Sequence, residues 1–138
     1  MPVAKIVILN WNGAEHLRRF LPSVVAAAPA GVEVMVADNG STDDSLGVLA
    51  TEFPSVGVLR LEANYGFAGG YNRALKQVEA DYYLLLNSDI ETPEGWLAPI
   101  LDVLEREPDV AVVSPKLISW TAVSYTHLRA HETCADLV

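Results

Sequence analysis

A chain of 138 residues with 51% apolar side chains is large enough for one domain with its own core and too apolar for extensive disorder. Nine basic against eighteen acidic residues give a net charge of −9, which argues against a nucleic-acid partner because phosphate backbones select basic surfaces. The single Cys134 excludes an internal disulfide, and no run reaches the roughly 18 apolar residues of a membrane-spanning helix. We therefore expect a cytoplasmic protein.

Five short runs rich in apolar and β-branched residues predict strands. They cover residues 3–9, 32–37, 56–61, 82–86 and 110–114. The fourth run, Tyr82-Tyr83-Leu84-Leu85-Leu86, contains no charged residue and stops abruptly at polar ones. We expect this strand to be buried on both faces, as strands of parallel sheets usually are.

Helical segments are predicted between the strands. They cover residues 14–28, 41–53, 71–79 and 92–106. Pro22 is expected to kink or split the first segment, and Pro99 is expected to strain the last. The hydroxyls and acids of 41–44 predict a helix start. Because strand and helix alternate, right-handed crossovers predict an α/β fold, a mostly parallel sheet with helices on both faces.

Polar residues collect after each of the first four predicted strands. They are Asn10 and Asn12, the segment 38–44, the segment 64–72 and the segment 87–89. Because the carboxyl ends of parallel strands meet at one edge of the sheet, these segments are expected to line one cleft. The turns at the opposite edge are plainer, so the sequence favours a ligand cleft over ordinary turn chemistry.

Three features of this edge have both a ligand-binding and a structural interpretation. Asp89, held by a rigid strand, suits a hard divalent cation that also contacts phosphate oxygens, or else it caps a helix or begins a turn. Asp38 can accept from a base N–H or a ribose hydroxyl, or from donors of its own turn. The glycines of 66–70 allow a close approach to a ligand or simply a tight turn. The residues alone leave these alternatives open.

Other nucleotide-binding and signalling classes are not supported by the motifs. No G-x-G-x-x-G follows the first strand and no G-x-x-x-x-G-K-[ST] occurs, which argues against a dinucleotide-binding dehydrogenase and a P-loop enzyme. A phosphorelay receiver would need acids after the first strand and an aspartate after the third. Those places hold Asn10-Trp11-Asn12 and Glu62-Ala63-Asn64.

Four segments resemble the motifs of family 2 glycosyltransferases, and within them the rhamnosyltransferase-like branch. They are V-I-L-N-W-N-G, V-A-D-N-G-S-T-D-D-S, N-Y-G-F-A-G-G-Y-N and L-L-L-N-S-D, in this order between residues 3 and 118. The resemblance implies a GT-A (Rossmann-like) fold and an inverting sugar transfer in polysaccharide or cell-surface glycan synthesis. It implies a dTDP- or UDP-linked sugar donor, Mg²⁺ or Mn²⁺, and a glycan or lipid-linked acceptor. It allows for peripheral membrane association of a full-length enzyme.

The resemblance also assigns site residues. Leu9 and Asn10 would border the nucleotide base, Asp38 would hydrogen-bond it, and Asn39 and Ser41 would shape the pocket. The remaining donor-binding residues implied by the resemblance are Asn64, Gly69, Asn72 and Ser88.

Asp89 corresponds to the last acid of the family's D-x-D motif, where Asn87 replaces the first acid. A metal held there would have one protein carboxylate and would take its other ligands from diphosphate and water.

No general base can be named in the matched region, because family members continue into a half that binds the acceptor and supplies it. We expect residues 1–120 to form the nucleotide-sugar-binding GT-A domain and the C-terminal half to be truncated. Residues 121–138 are expected to be a disordered or foreign tail. Its His127, His131 and Cys134 have ligand spacing but no fourth partner, so no zinc site is predicted. A nucleotide-sugar binding module without turnover is the alternative function.

Overall fold

The structure is a computed structural model that describes residues 3–117 of the chain. It divides into two compact units, one ending at Glu94 and the other beginning at Gly95. The predictions for residues 121–138, that they form a disordered or foreign tail and that its His127, His131 and Cys134 form no zinc site, lie outside the described residues. None of the helices between residues 3 and 117 has the length and apolar character that crossing a lipid bilayer requires.

The described part of the first unit is an α/β fold with a four-stranded parallel sheet in the order β3-β2-β1-β4. Its strands are β1 (Ala4–Asn10), β2 (Glu33–Asp38), β3 (Gly57–Arg60) and β4 (Tyr82–Leu86). Its helices are α1 (Ala14–Ala27), α2 (Ser45–Glu52) and α3 (Gly66–Leu75). The predicted class and the alternation of strand and helix are confirmed.

The direction of the chain through the sheet determines where the helices lie. The chain moves from β1 to β2 to β3 and then crosses back to add β4 on the other side of β1. Right-handed crossovers therefore place α1 and α2 on one face and α3 on the other. In agreement, α1 contacts α2, and Tyr71 and Ala74 of α3 form a buried cluster with Val7 and Ala37 of the sheet. The strand order reverses between β1 and β4, and such a switch point opens a crevice at the carboxyl ends of the strands.

The expectation that β4 is buried on both faces is wrong. Leu84 is buried, but the side chains of Tyr83 and Leu85 are 41% and 54% exposed. The physical reason is position in the sheet, because β4 pairs with β1 alone among the described strands. An uncharged apolar run does not distinguish a central strand from an edge strand.

The predicted strand at 110–114 is also wrong, since these residues form no ladder with any described strand. A strand needs a partner for its backbone hydrogen bonds, and an apolar composition alone does not provide one. The described part of the second unit instead contains the helix α4 (Ala98–Arg106).

The helix starts differ from the predictions for identifiable reasons. The helix predicted from residue 41 begins at Ser45, because the side chains of Asp38 and Asn12 bind the backbone N–H groups of 41–43. The helix predicted over 71–79 spans Gly66–Leu75 and includes the glycines that were expected to form a turn.

Pro99 lies in the first turn of α4, where its missing N–H costs no helical hydrogen bond, so the predicted strain is absent. Pro22 lies inside α1 without splitting it.

Candidate functional site

The site begins with two buried side chains at the carboxyl ends of adjacent strands. Asn10 ends β1, Asp38 ends β2, and the two are register partners in the sheet. The Asn10 amide nitrogen Nδ2 donates to Asp38 Oδ1 at 3.0 Å, and the two residues are only 0% and 2% exposed. Parallel pairing thus brings together two residues that are 28 positions apart.

The Asp38 carboxylate is fixed by a second hydrogen bond on its other oxygen. Ser41 N donates to Asp38 Oδ2 at 3.0 Å, and Ser41 Oγ lies 3.3 Å from Asn10 Nδ2. The turn role that the sequence left open for Asp38 is therefore present. Each carboxylate oxygen can accept a further bond, so this role is compatible with a ligand contact. Asn10 Oδ1 is buried and has no hydrogen-bond partner among the described residues.

Asn12 joins the loop after β1 to the loop after β2. Its Oδ1 accepts from Thr42 N at 2.7 Å and from Asp43 N at 3.1 Å, while its own N–H donates to Ser41 Oγ at 2.8 Å. The residue has φ of 49°, a left-handed conformation that asparagine tolerates better than most side chains. This role was missed in the sequence, although an asparagine directly before Gly13 is a signal for such a turn.

Asp43 accepts hydrogen bonds from the first residues of two helices, α1 and α2. Its Oδ2 accepts from Ala14 N at the beginning of α1 (3.1 Å), and its Oδ1 accepts from Ser45 N at the beginning of α2 (2.9 Å). Ser45 Oγ also donates to Oδ1 at 2.5 Å. Desolvation alone would raise the pKa of Asp43, but the hydrogen bonds from Ser45 and Ala14 outweigh it, so the pKa lies below its usual value.

Asn39 connects the loop after β2 to the segment that opens α3. Its Nδ2 donates to Asn64 Oδ1 and to Gly66 O, both at 3.1 Å, and its Oδ1 accepts from Tyr65 N at 3.0 Å. Asn64 Oδ1 also accepts from Gly66 N at 2.9 Å. Asn39 is buried, and both ends of its amide group therefore determine where residues 61–65 lie, the loop between β3 and α3 that we call the third loop.

Glycines allow these loops to approach one another. A Cβ atom on Gly40, whose φ is 76°, would lie 2.7 Å from the backbone carbon of Ala63. A Cβ atom on Gly70 would lie 2.8 Å from Leu9 Cδ1 and 2.8 Å from Asn39 Nδ2. Because real Cβ atoms do not approach this closely, the contact of α3 with β1 requires glycine at position 70.

Tyr71 of α3 links the carboxyl ends of β1 and β4. Its hydroxyl donates to Leu86 O at 3.1 Å and accepts from Leu9 N at 3.3 Å, so one side chain bridges the ends of both strands. Burial raises the pKa of Tyr71, with a smaller opposing effect from the Leu9 N–H. No local pattern in the sequence indicated this role.

Asp89, the predicted metal ligand after β4, is not part of the hydrogen-bonded network. Asp89 and Asn87 are exposed, and neither side chain forms a hydrogen bond or an ion pair within residues 3–117. The side chains of Asn72, which is exposed, and of Ser88, which is half-buried, also form no hydrogen bond in this part of the chain. The alternative that Asp89 caps the next helix is wrong, since the N-cap of α4 is Leu97. The structure therefore brings together Asn10, Asp38, Asn39, Ser41 and Asn64, and it does not join Asn72, Ser88 or Asp89 to them by hydrogen bonds.

Whether the edge suits a divalent cation can be judged from its donors. Among residues 3–117 there is no group of three or more His, Cys, Asp or Glu side chains that could hold a metal ion by themselves. Asp89 has both carboxylate oxygens unengaged by the described residues, and it follows a strand at the switch point. Such a carboxylate fits a cation that takes most of its ligands from phosphate and water.

The fold of this chain is similar to that of solved structures of S. aureus TarS. S. aureus TarS 1–349 matches with a TM-score of 0.68 and 26% identity, covering 82% of this chain and 35% of that chain. The same TarS region has been solved in complex with UDP-GlcNAc and with UDP. This likeness assigns the chain to the class of proteins with a GT-A-like α/β fold.

The sequence comparison gives the family. The family model described as glycosyl transferase family 2 matches residues 5–135, and the chain belongs to that family. The resemblance inferred from the four motifs is thereby confirmed, including the rhamnosyltransferase-like relatives.

Two curated relatives illustrate the family. An N-acetylglucosaminyl-diphospho-decaprenol L-rhamnosyltransferase of Mycobacterium tuberculosis is 29% identical over 124 residues, which cover 82% of this chain and 40% of the relative. An undecaprenyl-phosphate 4-deoxy-4-formamido-L-arabinose transferase of Sodalis glossinidius is 33% identical over 113 residues, which cover 76% of this chain and 34% of the relative. The chain thus spans well under half the length of these relatives.

Proposed function

We propose that this chain binds a nucleotide-diphosphate sugar at the carboxyl edge of its sheet and forms the donor-binding part of an inverting glycosyltransferase. The observation that carries the proposal is a pair of hydrogen-bonded clusters at the carboxyl edge of β1 and β2. One joins Asn10, Asp38 and Ser41, the other joins Asn39 and Asn64, and the backbone bond from Asn39 N to Asn10 O at 2.7 Å links them. A network that holds three loops in one arrangement provides a preorganised pocket, which reduces the ordering cost of binding.

The base is proposed to bind between the ends of β1 and β2. Asp38 accepts from a base N–H through lone pairs that Asn10 and Ser41 leave free, and Leu9 borders the ring. The donor is a UDP- or dTDP-linked sugar, and the complexes of TarS with UDP and UDP-GlcNAc support the first.

The ribose and diphosphate are proposed to run along Asn64, Gly69 and Asn72 towards Ser88. Asp89 would hold Mg²⁺ or Mn²⁺ as the one protein carboxylate of the site. When bound, such a cation offsets the negative charge that develops on the departing nucleotide diphosphate. The chain's own residues bind and orient the donor, while Tyr71 keeps the ends of β1 and β4 at a fixed separation.

In the proposed reaction an acceptor hydroxyl oxygen forms a bond to the anomeric carbon from the face opposite the leaving group. The bond from that carbon to the diphosphate oxygen breaks, its electron pair leaves with the nucleotide diphosphate, and the hydroxyl proton passes to a general base. No residue of the described chain is assigned as that base.

Relatives named for decaprenol and undecaprenyl-phosphate carriers support a glycan or lipid-linked acceptor. For the same reason we include peripheral membrane association of a full-length enzyme in the proposal, together with a cytoplasmic location.

A nucleotide-sugar binding module without turnover is the second candidate, because the described residues offer donor-binding groups but none that is assigned as the general base. Incubating the purified chain with UDP-GlcNAc and an acceptor distinguishes the two. Released UDP above the level of an Asp89→Ala variant supports an enzyme, whereas donor binding without UDP release supports the module.

Donor binding itself is tested by calorimetric titration with UDP, with and without Mn²⁺. We expect Mn²⁺ to tighten UDP binding in the wild type and in Asp109→Ala, an exposed acid that serves as the matched control. The Asp89→Ala variant is expected to fold normally and to lose the Mn²⁺ effect. Asp38→Asn is expected to bind UDP about tenfold more weakly while retaining that effect, since one charged hydrogen bond is lost. Unchanged Mn²⁺ dependence in Asp89→Ala would remove the metal assignment.

A further inference from the structure

A groove lined by basic residues lies beside the third loop, outside the proposed donor site. Its lining includes Arg60 at the end of β3, Tyr65 before α3, and Arg73 and Lys76 at the end of that helix, together with Glu62. We call it the basic groove. Its volume is about 540 Å³, which is ample for a phosphate or diphosphate group.

The three cations of the basic groove are not neutralised by carboxylates. Within residues 3–117, Arg60, Arg73 and Lys76 form no ion pair, and Glu62 does not approach any of them closely enough to form one. Three other cations of the described chain do have carboxylate partners. The pairs are Lys5–Glu33, Arg18–Glu52 and Arg106–Asp102. In a chain of net charge −9, with acids in excess, three unpaired cations in one groove indicate a site for an external anion.

One of these cations is held in a defined position. The Arg73 guanidinium lies 3.8 Å from the centroid of the Tyr65 ring, a cation–π contact. The backbone N–H of Tyr65 is itself bound by Asn39 Oδ1 at 3.0 Å, so the ring is anchored to the loop after β2. A guanidinium stacked by its face keeps its N–H edges available, and those edges match two oxygens of a phosphoryl group.

We propose that the basic groove is a second anion site that binds a phosphate or diphosphate group through Arg60, Arg73 and Lys76. Glu62 accepts hydrogen bonds only, so it faces a hydroxyl of the same ligand rather than another phosphoryl oxygen. The net charge of −9 disfavours adhesion to a broad anionic surface and favours a small ligand that contacts this groove alone. This site contains none of the residues proposed to hold the sugar donor, and it does not depend on that proposal.

The test is calorimetric titration of the whole 138-residue chain with inorganic diphosphate, in buffer containing EDTA so that no divalent cation contributes. The Arg60→Gln/Arg73→Gln variant is expected to bind diphosphate at least about tenfold more weakly than wild type, because two charge-assisted contacts are lost. The matched control is Arg18→Gln/Arg106→Gln, which removes the same charge from two carboxylate-paired arginines and is expected to retain wild-type affinity.

Circular dichroism melting shows whether the double variant is folded, and Lys76→Gln serves as the test if it is not. Absence of diphosphate binding in the wild type would overturn the proposal, and so would an equal loss in the Arg18→Gln/Arg106→Gln control. Cosedimentation with vesicles of phosphatidylglycerol and phosphatidylcholine distinguishes the source of the phosphate. Binding to these vesicles that the Arg60→Gln/Arg73→Gln variant loses, without binding of free diphosphate, would overturn the assignment to a small ligand.

Discussion

The hydroxyl of Tyr71 donates a hydrogen bond to the backbone carbonyl of Leu86 at 3.1 Å, and this contact holds the end of β4 beside the end of β1. The same hydroxyl accepts from Leu9 N at 3.3 Å, so the two strands are linked through a side chain where their ladder stops. Residues 87–89 leave the sheet at this point. The position of the proposed metal carboxylate therefore depends on a tyrosine of α3.

Replacing Tyr71 by phenylalanine tests this dependence. The Tyr71→Phe variant leaves the Leu9 N–H and the Leu86 carbonyl without their partner, so we expect the free energy of unfolding to fall by about 1–3 kcal/mol in urea denaturation. Tyr83→Phe is the matched control, because Tyr83 also donates to a backbone carbonyl, that of Val78 at 2.6 Å, but is 41% exposed. Water can replace that bond, and we expect a smaller loss. Equal losses in the two variants would contradict a special role for Tyr71.

Gly70 is predicted to tolerate no side chain, in contrast to its neighbour. A Cβ atom there would lie 2.8 Å from both Leu9 Cδ1 and Asn39 Nδ2, whereas one on Gly69 would meet only Tyr65 Cβ, at 3.3 Å. We expect Gly70→Ala to destabilise the protein by about 1–3 kcal/mol through overpacking. Gly69→Ala is expected to be close to neutral, because the helical preference of alanine, about 1 kcal/mol, offsets a minor adjustment. Thermal unfolding of both variants under identical conditions measures the difference, and a larger loss in Gly69→Ala would refute this packing argument.

The sheet could be predicted from the sequence because its signals are local. Apolar runs of four to eight residues separated by helical segments gave the alternation, and the bounds predicted for Tyr82–Leu86 match those of β4. The position of a strand within the sheet is a non-local property, which is why β4 was expected to be central. Residues 110–114 have the composition of a strand but no partner among the described residues, and composition carries no information about partners.

The site residues also divide into those that local sequence signals predict and those whose roles depend on long-range contacts. Asn10, Asp38 and Asn39 follow directly from strand ends, so parallel pairing was sufficient to bring them together. The roles of Asn12 and Tyr71 depend on contacts over 30 and 62 residues respectively, which no periodicity encodes. The start of α2 was misplaced for a related reason. The backbone N–H groups of residues 41–43 are bound by the side chains of Asp38 and Asn12, so these residues do not begin the helix.

Asn39 is predicted to hold the third loop through its amide group rather than its size. The nearly isosteric Asn39→Asp variant places carboxylate oxygens against Asn64 Oδ1 and the Gly66 carbonyl, so two donated bonds become repulsive contacts. We expect a loss of about 2–4 kcal/mol in unfolding free energy at neutral pH. Faster amide hydrogen exchange at Tyr65 and Gly66 is the local readout. Asn72→Asp introduces the same charge at an exposed residue without side-chain hydrogen bonds among the described residues, and it is expected to change stability by about 0.5 kcal/mol or less.

Asp43 is predicted to make stability depend on pH in the acidic range. Its pKa is lowered in the folded state by hydrogen bonds from Ser45 and Ala14, which outweigh desolvation. A depressed pKa contributes stability that is fully present above the unfolded value of about 3.9 and is lost as the pH falls through the lower folded value. The side chain is largely exposed, so solvent screening keeps this contribution small.

We therefore expect Asp43→Asn to be less stable than wild type near neutral pH and the difference to shrink as the pH falls below about 4. Asp109→Asn, an exposed acid without a hydrogen bond to the described residues, provides the background slope. Urea denaturation of the three proteins at a series of pH values between about 2 and 7 gives the comparison. A gap between Asp43→Asn and wild type that stays constant over this range would show that the capping bonds of α1 and α2 do not require the ionised carboxylate. A gap that closes on acidification would show that the ionised carboxylate of Asp43 links the starts of the two helices.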